Sequence, residues 1–356
     1  MRTSGRNAEG NSVIIKRTSA AAIAVVLGGT LMAGSAAVAQ DAPSDPSEID
    51  VAWIGKTLNN PWWISVADFA QREADQLGIN MTISLPEEEV DLGKQIAMVE
   101  AAIEQGVDAI IISASSSEGI IPAIEGAREA GIKIVSFDTR IDDPSLVDVY
   151  VGADDFAGAK KAGEYICAML GAEGGQVGLL EGLLAQSTGV DRKGGFEEGI
   201  AECENPVEIV ATAGAEWRSD LALDATQNML TANPDIKAIF ASNDQMAVGM
   251  INGAIAAGYE PDDLILVGYD GILDAVNAVL DGDLDAFVAL PNREEGEMGP
   301  RLATTLVMNP DITFEREIIY PGPLVTAELV EGQTDEVIEE FAAYRFPLRG
   351  VTDKGY

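Results

Sequence analysis

Gly131-Ile132-Lys133-Ile134-Val135-Ser136-Phe137-Asp138 is a short apolar run that ends on an aromatic-Asp pair. Upstream lies Asp108-Ala109-Ile110-Ile111-Ile112-Ser113, with an amphipathic stretch between the two. Such runs, bounded by turn residues, read as strands buried on both faces, and a helix between two of them makes a strand-helix-strand unit of a parallel sheet. The pattern returns later. Lys237-Ala238-Ile239-Phe240-Ala241-Ser242 leads through a helix to Leu264-Ile265-Leu266-Val267-Gly268-Tyr269-Asp270, again with an aromatic-Asp exit. Two similar halves, each an open α/β sheet, account for this echo.

Outward from these units the alternation continues. Strands are predicted at 49–54, 79–85, 108–113, 132–137, 147–151, 176–181, 207–211, 237–241, 264–269 and 284–290, with amphipathic helices between most of them. Pro61 sits where the first helix would start, and Trp63, Val66, Ala70, Ala74 and Leu77 recur at helical spacing until Gly78. So many strands exceed one comfortable sheet, which divides the chain near residue 152. With 356 residues, 47% hydrophobic, there is enough chain for two cores.

The N-terminus reads as a targeting segment. Arg2, Arg6, Lys16 and Arg17 precede an apolar stretch from Ala20 to Met32, and Ala37-Val38-Ala39 offers a small-x-small cleavage site. A signal peptide is therefore expected over 1–39, followed by a Pro/Ser/Asp linker over 40–48. Leu31-Met32-Ala33-Gly34 resembles the start of a lipoprotein box, but Ser35 follows where a cysteine would be acylated. A soluble periplasmic protein is expected.

Composition excludes several functions. The net charge of −37 rules out nucleic acid as a partner. There is no histidine, so Ser-His-Asp and Cys-His catalysis and His-ligated metal sites are absent. No metal and no cofactor are expected. The two cysteines, Cys167 and Cys203, would meet an oxidising compartment, as one disulfide or as two buried thiols, and the disulfide is the favoured reading.

In open α/β sheets, ligands bind beyond the carboxyl ends of the strands. That rule picks out Lys56, Asn59, Asn60, Trp62 and Trp63 after the first strand, and Asp138 and Arg140 after the fourth. In the second half it picks out Asn243 and Asp244, and Tyr269 and Asp270. Planar polar side chains paired with flat aromatic faces suit a neutral polyhydroxylated ligand. Each residue also has a plainer use: Trp63 shares the buried stripe of its helix, while Asp138, Asn243 and Asp270 are good helix N-caps.

Leu58-Asn59-Asn60-Pro61-Trp62-Trp63 resembles the Leu-Asn-Asn-Pro-Phe-Phe stretch of the ribose-binding protein family. Gln227-Asn228-Met229-Leu230 through Asn243-Asp244-Gln245-Met246-Ala247, and Val267-Gly268-Tyr269-Asp270-Gly271, are similar to two further segments of that family. The likeness spans roughly residues 49–330. It implies a type I periplasmic binding fold, with two doubly wound lobes joined by three crossovers. The first lobe would take 49–152 and 291–318, the second 153–290 and 319–330, with 331–356 an extension beyond the resemblance. It implies ligand contacts at Asn60, Trp62, Trp63 and Asp138 in one lobe and at Trp217, Asn243, Tyr269 and Asp270 in the other. Here Asp138 is followed by Thr139, with Arg140 one place later; the second arginine position falls near Val190, with Arg192 read as structural. Ala289 stands where a glutamine is expected, and Lys56 replaces a small polar residue. These departures argue against ribose itself.

The resemblance implies a monomer that captures a sugar or polyol and delivers it to an ABC permease in the inner membrane. The alternatives are a sensor that hands a sugar-like signal to a receptor, and a carbohydrate-active enzyme using Asp138 and Asp270 as paired carboxylates.

Overall fold

The computed structural model describes residues 43–330. The expected leader, the start of the linker and the 331–356 extension lie outside the described residues.

The chain runs β1 (Asp50–Ile54), α1 (Pro61–Leu77), β2 (Asn80–Ser84), α2 (Leu92–Gln105), β3 (Ala109–Ile112), α3 (Ile121–Glu129), β4 (Lys133–Phe137) and β5 (Val149–Ala153). It continues through α4 (Asp155–Leu170), β6 (Gly175–Glu181), α5 (Ser187–Ala201), β7 (Val207–Gly214), α6 (Ser219–Ala232), β8 (Ile236–Ala241), α7 (Asp244–Ala256), β9 (Ile265–Asp270), α8 (Leu273–Asp281) and β10 (Ala286–Ala289). It ends with α9 (Asn292–Met308), β11 (Glu317–Tyr320), β12 (Leu324–Thr326) and α10 (Ala327–Val330).

Two sheets result. The first has the order β2-β1-β3-β4-β5-β11 and the second β7-β6-β8-β9-β10-β12. All neighbours are parallel except β12, which runs antiparallel to β10. In each sheet the first strand in sequence lies between the next two, so the order reverses there. The echo read from the sequence is this shared topology. The chain passes between sheets three times: after β5, after β10 and after β11. The predicted strands match those observed, but β11 and β12 have no counterpart among them. β11 alternates exposed and half-buried residues, a weak pattern. It lies wholly in the first sheet, so the expected boundary at 318/319 cuts through it.

Local chemistry starts α1 where the sequence predicts. Pro61 occupies its first turn, Asn60 caps it by accepting the Trp62 N–H, and Gly78 closes it with φ +76°. Beneath it Trp53 and Trp63 both pack on Phe137, at 5.2 and 5.9 Å between centroids. α9 returns to the first lobe and packs on α1.

In the second lobe α4 and α5 meet backbone to backbone. A Cβ on Gly195 or Gly199 would strike the carbonyl of Phe156 or Lys160. At the end of this pair Cys167 and Cys203 are joined, with Cα atoms 5.8 Å apart. Among the described residues, no helix is long and apolar enough to cross a membrane.

Candidate ligand-binding cleft

The carboxyl ends of the two sheets face each other across a cavity with about 270 Å³ of space free of protein atoms. From the first lobe its lining takes Lys56, Asn60, Trp62, Trp63, Glu89 and Asp138; from the second Thr188, Arg192, Trp217, Asn243, Asp270 and Leu290. Eight of the ten ligand residues expected from sequence thus meet in one place: only Arg140 and Tyr269 do not.

Asp138 leaves β4 with φ +54°, a left-handed turn that an aspartate tolerates better than most residues. Its Oδ2 accepts from the Lys56 ammonium at 2.9 Å, the Ser113 hydroxyl at 2.8 Å and the Thr139 hydroxyl at 3.0 Å. Burial pushes this carboxyl up, but Lys56 and Arg192 outweigh it, and the group stays ionised below the usual range. Lys56 also donates to Thr139 and, across to the other lobe, to Gln186 Oε1 at 3.1 Å. Trp62 and Trp63 meet edge to face at 4.7 Å. The Trp62 indole N–H is buried and has no partner among the described residues.

In the second lobe Arg192 is the organising cation. It is 4% exposed, and donates from Nε to Asp155 at 2.8 Å and from Nη1 to the Ser242 carbonyl and to Asp270 at 2.8 and 2.9 Å. Its guanidinium lies 4.1 Å from the Tyr269 ring centroid and 5.4 Å from that of Trp217. Burial lifts Asp270 to about 7 against the pull of Arg192, and lifts Glu89 to about 7 against that of Lys56. Trp217 crosses the cleft mouth, its Nε1 donating to Gln186 at 2.9 Å. Gly182 permits this, because a Cβ there would overlap the indole. Asn243 caps α7 through Met246 N and reaches the Trp217 carbonyl at 3.4 Å.

Two expected contacts are corrected. Arg140 points away from the cavity. It bridges Asp191 at 3.2 Å and Glu317 at 3.7 Å and covers the Tyr150 ring at 4.5 Å. Tyr269 is fully buried beneath Arg192, and its hydroxyl donates to the Asp155 carbonyl at 3.3 Å. Arg192, read from sequence as structural, reaches the lining, because it lies one helical turn beyond Thr188 on the same face of α5. Glu89, Thr188 and Leu290 were not foreseen. The polar Gln186-Ser187-Thr188 run after β6 was the available signal, since it follows a strand exit like the others. Of the other exit residues, Asp244 accepts the N–H groups of Tyr269, Gly271 and Ile272 and fixes that turn. Asn59 donates to the Glu87 carbonyl and lines a wider hollow outside the cleft.

A seam of direct bonds joins the lobes beside the cavity. Ser117 N donates to the Ala185 carbonyl at 2.9 Å, Ser187 N to Ser117 Oγ at 3.0 Å and Arg140 N to Ser187 Oγ at 2.9 Å. Thr139 and Thr188 hydroxyls meet at 3.2 Å.

Two twisted lobes closing over a polar, tryptophan-walled cavity define a bilobal binding protein of the α/β type. Residues 51–310 match the periplasmic binding protein domain, and the chain belongs to that family. It is 33% identical over 244 residues to the ribose import binding protein RbsB of Escherichia coli (strain K12), covering 68% of this chain and 80% of that protein. It is 32% identical over 259 residues to the D-allose-binding periplasmic protein of the same strain, covering 71% and 83%. Among solved structures it resembles an ABC transporter periplasmic solute binding protein from Actinobacillus succinogenes 130z with bound D-allose. The TM-score is 0.73 at 31% identity, covering 79% of this chain and 98% of that one.

Proposed function

We propose that this protein is an exported solute-binding component of an ABC transporter that encloses one sugar or polyol between its lobes and presents it to the permease. One observation carries the reading: both lobes contribute ionised and amide groups to the same cavity between them, beside three tryptophans. Asp138, Asp270, Asn60, Asn243 and Arg192 suit adjacent hydroxyls, and Trp62 and Trp217 suit the C–H faces of a ring. The names of the relatives, ribose import and D-allose binding, support the ligand class and a periplasmic location. The leader read over 1–39 supports export.

The mechanism is hinge closure. Ligand held by one lobe gains contacts from the other only when the cleft shuts, so the closed form is selected by differential affinity. Binding without turnover is favoured over glycoside hydrolysis, because Asp138 is held ionised by Lys56 and Asp270 is paired with Arg192. Although burial lifts Asp270 to about 7, it is hydrogen-bonded to Arg192, and Asp138 to Lys56, so neither carboxyl stands free as the acid of a pair.

A thermal-shift panel of sugars, polyols and small acids tests this. A true ligand at about 100 times its Kd stabilises by roughly 2.7 kcal/mol. Stabilisation by carbohydrates or polyols supports the reading. A shift confined to other compounds, or consumption of the sugar, refutes it.

A further inference from the structure

We infer that Lys56 is the specificity-determining residue of the cleft, restricting it to compact ligands, furanoses and short polyols, in preference to hexopyranoses. This rests on the sugar-binding reading above and goes beyond it in naming the size class and the residue that sets it.

The argument starts from the ammonium. It carries three N–H donors. All three have protein acceptors: Asp138, Thr139 and, from the opposite lobe, Gln186. Lys56 is 1% exposed and has no donor left for a ligand. With the lobes closed it is a wall of the site rather than a ligand contact.

That wall takes up two resources a larger ring would need. The ammonium lies 5.2 Å from the Trp63 centroid and covers that ring's face against stacking. It also takes Asp138 Oδ2, already shared with Ser113 and Thr139. Only Oδ1 has no partner among the described residues, so Asp138 cannot clasp two neighbouring hydroxyls with both oxygens. The buried Lys56 stem and ammonium fill the part of the lining between Trp63 and Asp138, so space there opens only if the side chain is shortened. The groups left for a ligand are few: Asp138 Oδ1, Asp270 Oδ2, Arg192 Nη2, Asn60 Nδ2 and the Trp62 indole N–H. Glu89 and Thr188 complete the polar lining.

Isothermal titration with erythritol, D-ribulose (a pentulose that closes only to a furanose) and D-allose tests the inference on wild type, Lys56→Ser and Lys56→Gln. Wild type is expected to bind one of the two compact probes at least about tenfold more tightly than D-allose, the scale of steric discrimination in a fitted pocket. Lys56→Ser opens the space and is expected to move the ratio at least about tenfold toward D-allose. Lys56→Gln is one atom shorter and uncharged but keeps most of the bulk, and should hold the wild-type order. Three results overturn the inference: wild type preferring D-allose, Lys56→Ser leaving the ratio unchanged, or Lys56→Gln shifting it as far as Lys56→Ser. The wild-type ranking decides even where a variant fails to fold. Absence of binding to these and to every other sugar and polyol refutes instead the underlying reading.

Discussion

Replacing Arg192 by methionine tests the electrostatic design of the second lobe. Arg192 is buried between Asp155 and Asp270, themselves 2% and 4% exposed, and lies against Tyr269 and Trp217. Methionine keeps the stem and the packing but removes the only cation paired with either carboxylate among the described residues. Breaking a buried ion pair from one side costs about 3–5 kcal/mol, because the charge left behind is neither solvated nor paired. Here two charges are left, so the upper part of that range is expected at pH 8. The carboxyls can escape the cost by taking up protons. Burial already raises Asp155, and lifts Asp270 to about 7 with the arginine present; without it both rise further. An acid whose folded pKa is raised contributes stability at low pH and loses it as pH climbs through the folded value. The deficit of Arg192→Met must therefore widen from pH 5 to pH 8. Urea unfolding of wild type and variant across that range measures it. A loss below about 1 kcal/mol at pH 8, against the about 3–5 expected, would refute the reasoning. So would a deficit that narrows as pH rises.

Three further outcomes are expected. Cys167→Ser, or reduction of the intact protein, opens a covalent loop spanning a separation of 36 residues; it should cost roughly 2–4 kcal/mol in urea unfolding while leaving ligand affinity within error. Gly199→Ala drives a methyl into the Lys160 carbonyl on the facing helix and should destabilise by about 1–3 kcal/mol, read as a lower Tm without ligand. Glu89, lifted to about 7 by burial and opposed by Lys56, should make unliganded stability fall as pH rises from about 5 to about 7, and Glu89→Gln should flatten that slope.

The fold was legible because its signal is repeated. Each central strand is a short apolar run buried on both faces, such as Ala109–Ile112, and each is followed by a helix that only a parallel sheet accommodates. β11 and β12 were not legible, since Glu317–Tyr320 alternates like a surface segment and owes its place to pairing with β5. In the site, residues at strand exits were found because chain position alone puts them at the carboxyl edge. Tyr269 and Arg140 show the limit of that rule. An exit fixes where a Cα lies, while the side chain's direction depends on partners from distant segments: Asp155 and Arg192 for Tyr269, Asp191 and Glu317 for Arg140. Arg192 was undervalued for the converse reason. It sits inside a helix, and its partners come from α4, from β9 and from the turn after β8.

Those long-range partners also link recognition to closure. Gln186 accepts from Lys56 of the first lobe and from Trp217 of its own, so one amide oxygen ties the cleft floor to its mouth. Around it the Ser117, Ser187 and Arg140 backbone and hydroxyl bonds hold the lobes together without any ligand group. A net contribution of about 0.5–1.5 kcal/mol per hydrogen bond makes this seam comparable with the gap of a few kcal/mol that separates open from closed forms in a two-state hinge. The seam therefore brings the closed form within reach, and under the proposed function ligand contacts to Asp138 and Asp270 would tip the balance. Weakening the seam should lower apparent affinity by reducing the fraction of closed protein, with the ligand's own contacts unchanged.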